Sequence, residues 1–326
     1  MRKRLKTWIS ISGRKVRLGE KSIIMGIVNV TPDSFSDGGR YFHPANAVRH
    51  GLSLAQAGAD WIDIGGESTR PGALPITAAE EIRRVIPVIR GIRARLPNLP
   101  ISIDTTKAEV AEQAVRAGAN ILNDISGLRF DPGIAGVART HHVPLILMHS
   151  RGRPATMQRK PFVKSIWRSL NQGLGVSVRR ALSLGVHRSQ LILDPGLGFG
   201  KSRRQNFEIL ANLHQLQGFG LPILAGASRK SFIQAVASGA GMAPGPATRG
   251  QIWPLTGPAQ RKGAGGPDSL STRKTLKIDD LGLMDFADAA MAAVSILSGA
   301  HIIRVHNVKA VLPAVRLADT LLATLT

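Results

Sequence analysis

The sequence predicts a (β/α)8 barrel, and three features of its 326 residues point there. Short apolar runs recur, β-branched or Leu-rich and with no alternating polar face, as strands buried on both sides of a parallel sheet read. Longer amphipathic stretches separate them. Polar residues gather at the carboxyl ends of the runs: Asn29, Asp63, Asp104, Asn123 with Asp124, His149, Asp194, Ser228 and His306. In a barrel those ends converge on one mouth. A doubly wound open sheet, the structural alternative, would join only the ends beside its switch point.

Taken in order, residues 1–22 are basic (Arg2, Lys3, Arg4, Lys6, Arg14, Lys15, Arg17) and read as a short strand pair ahead of the barrel. No apolar core follows them as in a secretory signal. The strand runs are then Ile23–Val28, Trp61–Ile64, Ile101–Ile103, Asn120–Leu122, Pro144–Met148, Leu191–Leu193, Pro222–Ala225 and Ile302–Val305. Helical patterns cover Ala45–Ala57, Ala78–Arg95, Lys107–Ala117, Lys164–Leu184 and Asp285–Ser298, and a further helix begins near Ser202. Gly58, Gly118 and Gly299 each stand just past a helix, where a left-handed cap is expected. From 238 to 280 the chain is rich in Gly, Pro, Ser and basic residues without a period, and reads as a flexible surface insertion between the seventh helix and the eighth.

Composition narrows the function. Hydrophobic residues make up 43%, enough for a sizeable core in a single domain. No run approaches the roughly eighteen apolar residues of a membrane span, so a soluble body is expected. The absence of cysteine excludes disulfides, thiolate metal ligands and a cysteine nucleophile, so a metal would sit on oxygen or imidazole. A net charge of +22 favours anionic partners. It is spread along the chain, however, and reads as a solvated basic surface rather than a nucleic-acid site.

The chemistry concentrates at the strand ends. Asp104, Asn123 and Asp194 each follow an apolar stretch, and a buried carboxylate without a partner is costly. Protein donors would satisfy them in the bland reading. In the functional one, a heterocycle with a mixed donor and acceptor edge such as a pterin would do so, with Lys230 meeting an acceptor. Asp194-Pro-Gly-Leu-Gly-Phe-Gly-Lys201 is a Gly-rich turn that exposes Phe199, with neither Walker nor dinucleotide spacing. Ser228-Arg229-Lys230-Ser231 leads into a helix whose amino end suits an anion. Arg304 and His306 lie on one side of a strand at i and i+2, where guanidinium and imidazole together suit phosphate oxygens. His141 and His142 fall in a helix-to-strand link and receive no metal role.

Together these motifs resemble dihydropteroate synthase, the folate-pathway enzyme family that sulfonamides inhibit. The ordered blocks are Asn29-Val-Thr-Pro-Asp-Ser-Phe-Ser-Asp-Gly-Gly39, Asp63–Gly72, Ser102–Thr105, Asn123–Gly127, Leu147–His149 with Pro154–Gln158, Asp194–Lys201, Ser228–Ser231 and Arg304–His306. The resemblance runs from about Ile23 to Val308 outside 238–280. It implies condensation of 6-hydroxymethyl-7,8-dihydropterin diphosphate with p-aminobenzoate, giving 7,8-dihydropteroate and diphosphate.

By those matches Asp104, Asn123, Asp194 and Lys230 would hold the pterin, with Met148 on its ring. Arg70, Arg304 and His306 would hold the diphosphate, and Asn29 would help bind Mg2+. Thr69, Pro71, Phe199 and Ser231 would line the p-aminobenzoate site, and Asp37 would ride on a closing loop. The resemblance also implies a cytoplasmic homodimer. The sequence departs from the family pattern at Asn307, where Asp usually follows Arg-Val-His, at Ser150-Arg151 after Met148-His149, and in the insertion. Two alternatives stand beside the synthase: a methyltetrahydrofolate-dependent methyltransferase, which would need neither the opening loop nor Ser228–Ser231, and a non-catalytic pterin-binding paralogue.

Overall fold

The computed structural model describes residues 4–31, 44–69, 72–152, 157, 164–237 and 280–325. Eight parallel strands form the sheet: β3 (Ile23–Asn29), β4 (Trp61–Gly65), β5 (Ile101–Asp104), β6 (Ile121–Asp124), β7 (Leu145–Met148), β8 (Leu191–Asp194), β9 (Leu224–Ala225) and β10 (Ile302–Val305). The hydrogen-bonded order β8-β7-β6-β5-β4-β3-β10-β9 leaves β8 and β9 as the last neighbours. A parallel bridge from Leu193 to Ile223, with the Leu193 N–H on the Pro222 carbonyl at 2.9 Å, joins them and closes the barrel.

The helices around it are α1 (Pro44–Gln56), α2 (Ala78–Arg95), α3 (Ala108–Ala117), α4 (Gly133–His141), α5 (Ile166–Ser183), α6 (Arg203–Ala211), α7 (Ser231–Ala237), α8 (Asp280–Leu297) and α9 (Val308–Ala323). Their starts follow local chemistry. Thr77 caps α2, Ser165 caps α5 and Ser202 caps α6, each accepting a backbone N–H of the first turn. Gly58, Gly118 and Gly299 take positive φ of 104°, 116° and 114°, as expected of the residue that ends a helix.

Three features differ from the sequence reading. The run Pro222–Ala225 shrinks to a two-residue strand, because Pro222 has no N–H and that of Ile223 goes to the His301 side chain at 3.1 Å. Helices α4 and α9 were not read as helical patterns, and the structure adds both. Finally α8 begins at Asp280, five residues before the periodic stretch, with Met284 packed against the core. The rest of the segment read as an insertion, 238–279, lies outside the described residues, between α7 and α8.

Ahead of the barrel, β1 (Thr7–Ile11) and β2 (Arg14–Leu18) pair antiparallel across a turn at Ser12 and Gly13. Ile9, Ile11 and Leu18 of this hairpin pack on Met25, Trp61, Ile121, Ile146, Ile192, Leu224 and Ile302, one inward residue from each of seven strands. The barrel is therefore plugged at its amino end by an apolar layer. Each fully buried side chain of this size contributes on the order of 2 kcal/mol.

The hairpin is tied to the end of the chain. Arg4, 5% exposed, donates to Ser22 Oγ at 2.7 Å, to the Ala300 carbonyl at 3.0 Å and to Asp319 Oδ1 of α9 at 3.2 Å. Burial lowers the pKa of Arg4, and the carboxylate of Asp319 opposes that shift. Asp319→Ala would leave the buried guanidinium without its counter-charge, so a loss of about 3 kcal/mol is expected in urea unfolding. A loss below about 0.5 kcal/mol would place the lock among weak surface pairs.

A polar layer at the mouth of the barrel

Two residues further along the same strands, the inward side chains change character. Trp61 gives way to Asp63, Ile121 to Asn123, Ile146 to Met148, Ile192 to Asp194 and Ile302 to Arg304. In a strand i and i+2 share a face, so the apolar plug is followed by one polar layer. Asp104 joins it from β5, paired in register with Gly65 on one side and Asn123 on the other.

Arg304 organises the layer. Its Nε donates to Asp63 Oδ2 at 2.6 Å and its Nη2 to Asp104 Oδ2 at 2.8 Å. Asn123 Nδ2 donates to the same Asp63 oxygen at 3.1 Å. Burial opposes charge on the guanidinium, yet Asp63 and Asp104 outweigh it and raise the pKa of Arg304. Burial pushes Asp104 up to about 7, with Arg304 opposing and Asp63 reinforcing. Asp63, absent from the residues the sequence reading assigned to binding, is fully buried and clamps the arginine. Its signal was the shared parity with Trp61 on an otherwise apolar strand.

Asp194 stands on β8 beside Met148 of β7. Burial raises it to about 6, while the Gly196 N–H at 2.7 Å and then Lys201 hold its charge. The turn after it depends on glycine. Gly196 has φ 66°, and a Cβ there would meet the His149 carbonyl at 2.0 Å. Lys201 sits beneath the turn and donates to the carbonyls of Gly196, Phe199 and His149 at 2.7, 3.0 and 3.1 Å. Burial takes Lys201 down to about 7, so this lysine is a buried brace rather than a mouth cation. His149 beside it is driven down to about 3, first by burial, and is neutral against Ser169 Oγ at 3.2 Å.

Phe199 is thereby presented to the mouth, 7% exposed, in an apolar patch with Met148, Ile125 and Met157. The Lys230 ammonium lies 4.1 Å from the centroid of its ring. Burial, then Arg304, lowers Lys230 to about 8, against the pull of Asp194 and Asp104. Lys230 thus shares one field with both acids and the arginine.

The loop after β4 is held at its start. Lys107 donates to Glu67 Oε2 and to buried Glu81 Oε2, each at 2.5 Å, and Arg84 donates to the Gly66 carbonyl at 3.0 Å. Thr69 follows, half-buried; Asp37, Arg70 and Pro71 lie outside the described residues. Asn29 ends β3 on the barrel face that bears Met25 and Ile27, and Ser231 opens α7, exposed.

On the far side Ser228 Oγ is 2.5 Å from Asp288 Oδ2 and 2.9 Å from His306 Nδ1. Asn307, the departure noted in the sequence, caps α9 by accepting the Ala310 N–H at 3.2 Å and donates to Asp285 Oδ2 at 2.6 Å. The structure therefore brings Asp104, Asn123, Met148, Asp194, Phe199, Lys230 and Arg304 together, with His306 at the same strand end as Arg304. Glu67, Lys107, Glu81, Lys201, Ser228 and Asp288 support them and receive no role of their own in the sequence reading; most act through neighbours distant in sequence, and Lys201 also braces its own turn.

Comparison with known proteins bears on the family and the fold of the chain. The profile of a family described as pterin binding enzyme matches residues 25–253. The dihydropteroate synthase of Synechocystis sp. is 41% identical over 303 residues, covering 93% of this chain and 91% of that protein. The structure of Xanthomonas albilineans dihydropteroate synthase with 4-aminobenzoic acid superposes with a TM-score of 0.78 at 35% identity, over 98% of this chain and 99% of the other. That of the Yersinia pestis dihydropteroate synthase in a sulfonamide drug complex gives a TM-score of 0.78 at 32% identity, over 98% and 100% of the two chains.

The Arg304 clamp has a measurable electrostatic consequence. Asp63 is one of the charges that raise Asp104, so Asp63→Asn should lower the Asp104 titration midpoint from about 7. Carboxyl carbon NMR across pH 4–9 would show it, and an unchanged midpoint would mean that burial alone sets the value.

Proposed function

Because the chain belongs to the dihydropteroate synthases, a family of pterin-binding enzymes, we propose that its polar layer binds 6-hydroxymethyl-7,8-dihydropterin diphosphate and joins it to p-aminobenzoate. The observation that carries this reading is the grouping of Asp104, Asn123, Asp194 and Lys230 over the apolar patch of Met148 and Phe199. A flat heterocycle with N–H donors on one edge needs buried carboxylates, and a ring face needs apolar contact. Both are present at one depth in the barrel.

In this reading Asp104 and Asp194 accept from the pterin edge, Asn123 can accept and donate there, and Lys230 meets its ring acceptors. Arg304 supports Asp104 and adds positive charge next to the departing diphosphate, which His306 and Arg70 bind. Thr69, Pro71, Phe199 and Ser231 receive p-aminobenzoate, and Asp37 belongs to a loop that closes the mouth. As the C–O bond to the diphosphate breaks, its electron pair leaves with the oxygen. The aryl amine lone pair forms the C–N bond to the cation-like CH2, and the nitrogen then loses a proton. That order needs stabilisation of the leaving group more than a strong base. It also benefits from exclusion of water, which would compete with the amine.

Mg2+ fits the residues present. Among the described residues no group of three or more His, Asp or Glu side chains is placed to hold a metal, while Asn29 stands at the end of β3 with a neutral amide oxygen. Mg2+ keeps several waters and binds through few protein oxygens plus substrate phosphates, which suits one amide ligand beside a diphosphate. Bound there, it would offset charge developing on the leaving group.

We further propose a homodimer through α8, where Phe286, Ala290 and Val294 form an exposed apolar stripe at i, i+4 and i+8. Among the described residues no helix is long and apolar enough to cross a membrane. A cytoplasmic location accords with a diphosphate ester, whose charges keep it from crossing membranes.

Two measurements test the reaction. Mg2+-dependent release of diphosphate from the pterin diphosphate is expected only when p-aminobenzoate is present. Folded protein that releases none would leave a pterin-binding protein without this activity.

The second is the pH dependence of pterin affinity. Burial pushes the carboxyls of Asp104 and Asp194 up to about 7 and about 6. Ligand N–H donors favour their ionised forms, so binding sheds protons. Affinity should be full above pH 7 and weaken as pH falls toward 5, by up to about tenfold per unit for each group. A flat calorimetric profile from pH 5 to 8 would remove the carboxylates from the pterin site.

A further inference from the structure

We propose that Asp288, acting through Ser228, is a positioning residue that keeps a hydrogen on Nδ1 of His306 and so makes Nε2 the nitrogen that exchanges a proton. The proposal rests on the diphosphate role given above to His306, and it concerns two residues to which no role in the reaction has yet been given.

The Ser228 hydroxyl has one hydrogen to give and meets three neighbours. Its Oγ is 2.5 Å from Asp288 Oδ2, 2.9 Å from His306 Nδ1, and accepts the His306 backbone N–H at 3.3 Å. An ionised carboxylate only accepts, so the hydroxyl hydrogen goes to Asp288. With that hydrogen committed, the 2.9 Å contact between Nδ1 and Oγ is a hydrogen bond only if Nδ1 donates its own. The chain therefore runs His306 Nδ1–H to Ser228 Oγ, and Ser228 O–H to Asp288. Imidazole is polarised the same way in both its neutral and its protonated form.

The carboxylate that anchors this chain is itself well held. Asp288 is 2% exposed, and its second oxygen accepts the Arg229 N–H at 3.0 Å. Arg229 has φ 56°, a left-handed turn that sets Lys230 next in line, so one carboxylate orients both the histidine and the loop of the pterin-site lysine. Burial raises the pKa of Asp288, and Asp285 adds to that. The Ser228 and Arg229 hydrogen bonds and the Arg229 charge oppose it. Among the described residues, the charged groups acting on Asp288 include Arg229 on the loop and Asp285 on α8, while Arg304 stands two residues before His306 on β10. The residue after His306 brings no charge, because Asn307 donates its amide to Asp285. Helix α8, rather than the strand end, supplies the negative charge on this side.

If Asp288 only anchored the loop, Asp288→Asn would leave His306 as it is, since the amide oxygen can still accept from Arg229. In the positioning role, the new amide N–H donates to Ser228 Oγ, the hydroxyl turns toward Nδ1, and the hydrogen of neutral His306 moves to Nε2. Nitrogen NMR of the full chain labelled at histidine, recorded at pH 8 and assigned with His306→Gln, reads this directly.

The expected result is a hydrogen on Nδ1 in the natural protein and on Nε2 in Asp288→Asn. Diphosphate release should slow by roughly tenfold, the worth of one charge-assisted hydrogen bond, with KM for p-aminobenzoate within about twofold. Ser228→Thr, which keeps the hydroxyl, should retain the natural tautomer, and Ser228→Ala should give a mixture. A hydrogen on Nε2 in the natural protein, or the same tautomer in the natural protein, Asp288→Asn and Ser228→Ala, would overturn the proposal. The tautomer is read without substrate, so absent diphosphate release in the natural protein would count against the synthase reading and not against this one.

Discussion

The guanidinium of Arg304 inside a parallel barrel is the constraint on which the mouth of this protein depends. A charge at that depth is tolerated only if its donors are met. Asp63 takes Nε and Asp104 takes Nη2, and Asn123 is drawn in through Asp63. Four strands, β10, β4, β5 and β6, are therefore joined across the lumen by side chains as well as round the wall by backbone. Burial in this layer pushes Asp104 up to about 7 against the pull of Arg304, and Lys230 stands in a field of two acids and one cation. The field around Lys230 and the side-chain links between four strands are two effects of one ion cluster.

The loops above the barrel are made exact by groups that do not face the ligand space. Lys107 ties Glu67 to Glu81, and so fixes the start of the loop carrying Thr69 to a helix and to the end of β5. Lys201 gathers three carbonyls beneath the glycine-rich turn, which holds Phe199 where the Lys230 ammonium can rest on its ring. Both lysines neutralise partial or full negative charge that the folded backbone concentrates in a buried place. Their contribution is shape, conveyed to residues that can touch a substrate.

Much of the fold was legible because a parallel barrel repeats a simple pattern. Runs such as Leu145–Met148 and Leu191–Asp194 are too apolar for any half-exposed strand, and the glycines after α1, α3 and α8 end their helices with positive φ. Less legible was β9, whose ladder is cut short by Pro222 and by a side chain, His301, that is distant in sequence. Helix α9 was not read; its Pro313, like Pro87 of α2, is tolerated in a helix that packs against its neighbours, here α8 and β3. At the site, Asp104, Asn123, Asp194 and Arg304 could be read from strand parity. Ser228 and Asp288 could not, since their partners come from other elements, and Lys201 could be placed in its glycine-rich turn but not beneath it.

By itself the sequence determined the alternation of strands and helices, and the depth at which polar residues enter the barrel. Both follow from local periods of two and of about 3.6 residues. It also determined that no thiol chemistry takes place, because there is no cysteine. Only the tertiary structure decided which oxygens face which donors: that Asp63 accepts from Arg304 Nε, that Lys201 is buried under its turn while Lys230 reaches the mouth, and that Ser228 stands between Asp288 of α8 and His306. Those pairings join residues between 2 and 241 positions apart. Closure of the barrel creates them by bringing each strand end to a common centre, where a low dielectric makes every unmet charge costly and every met one specific.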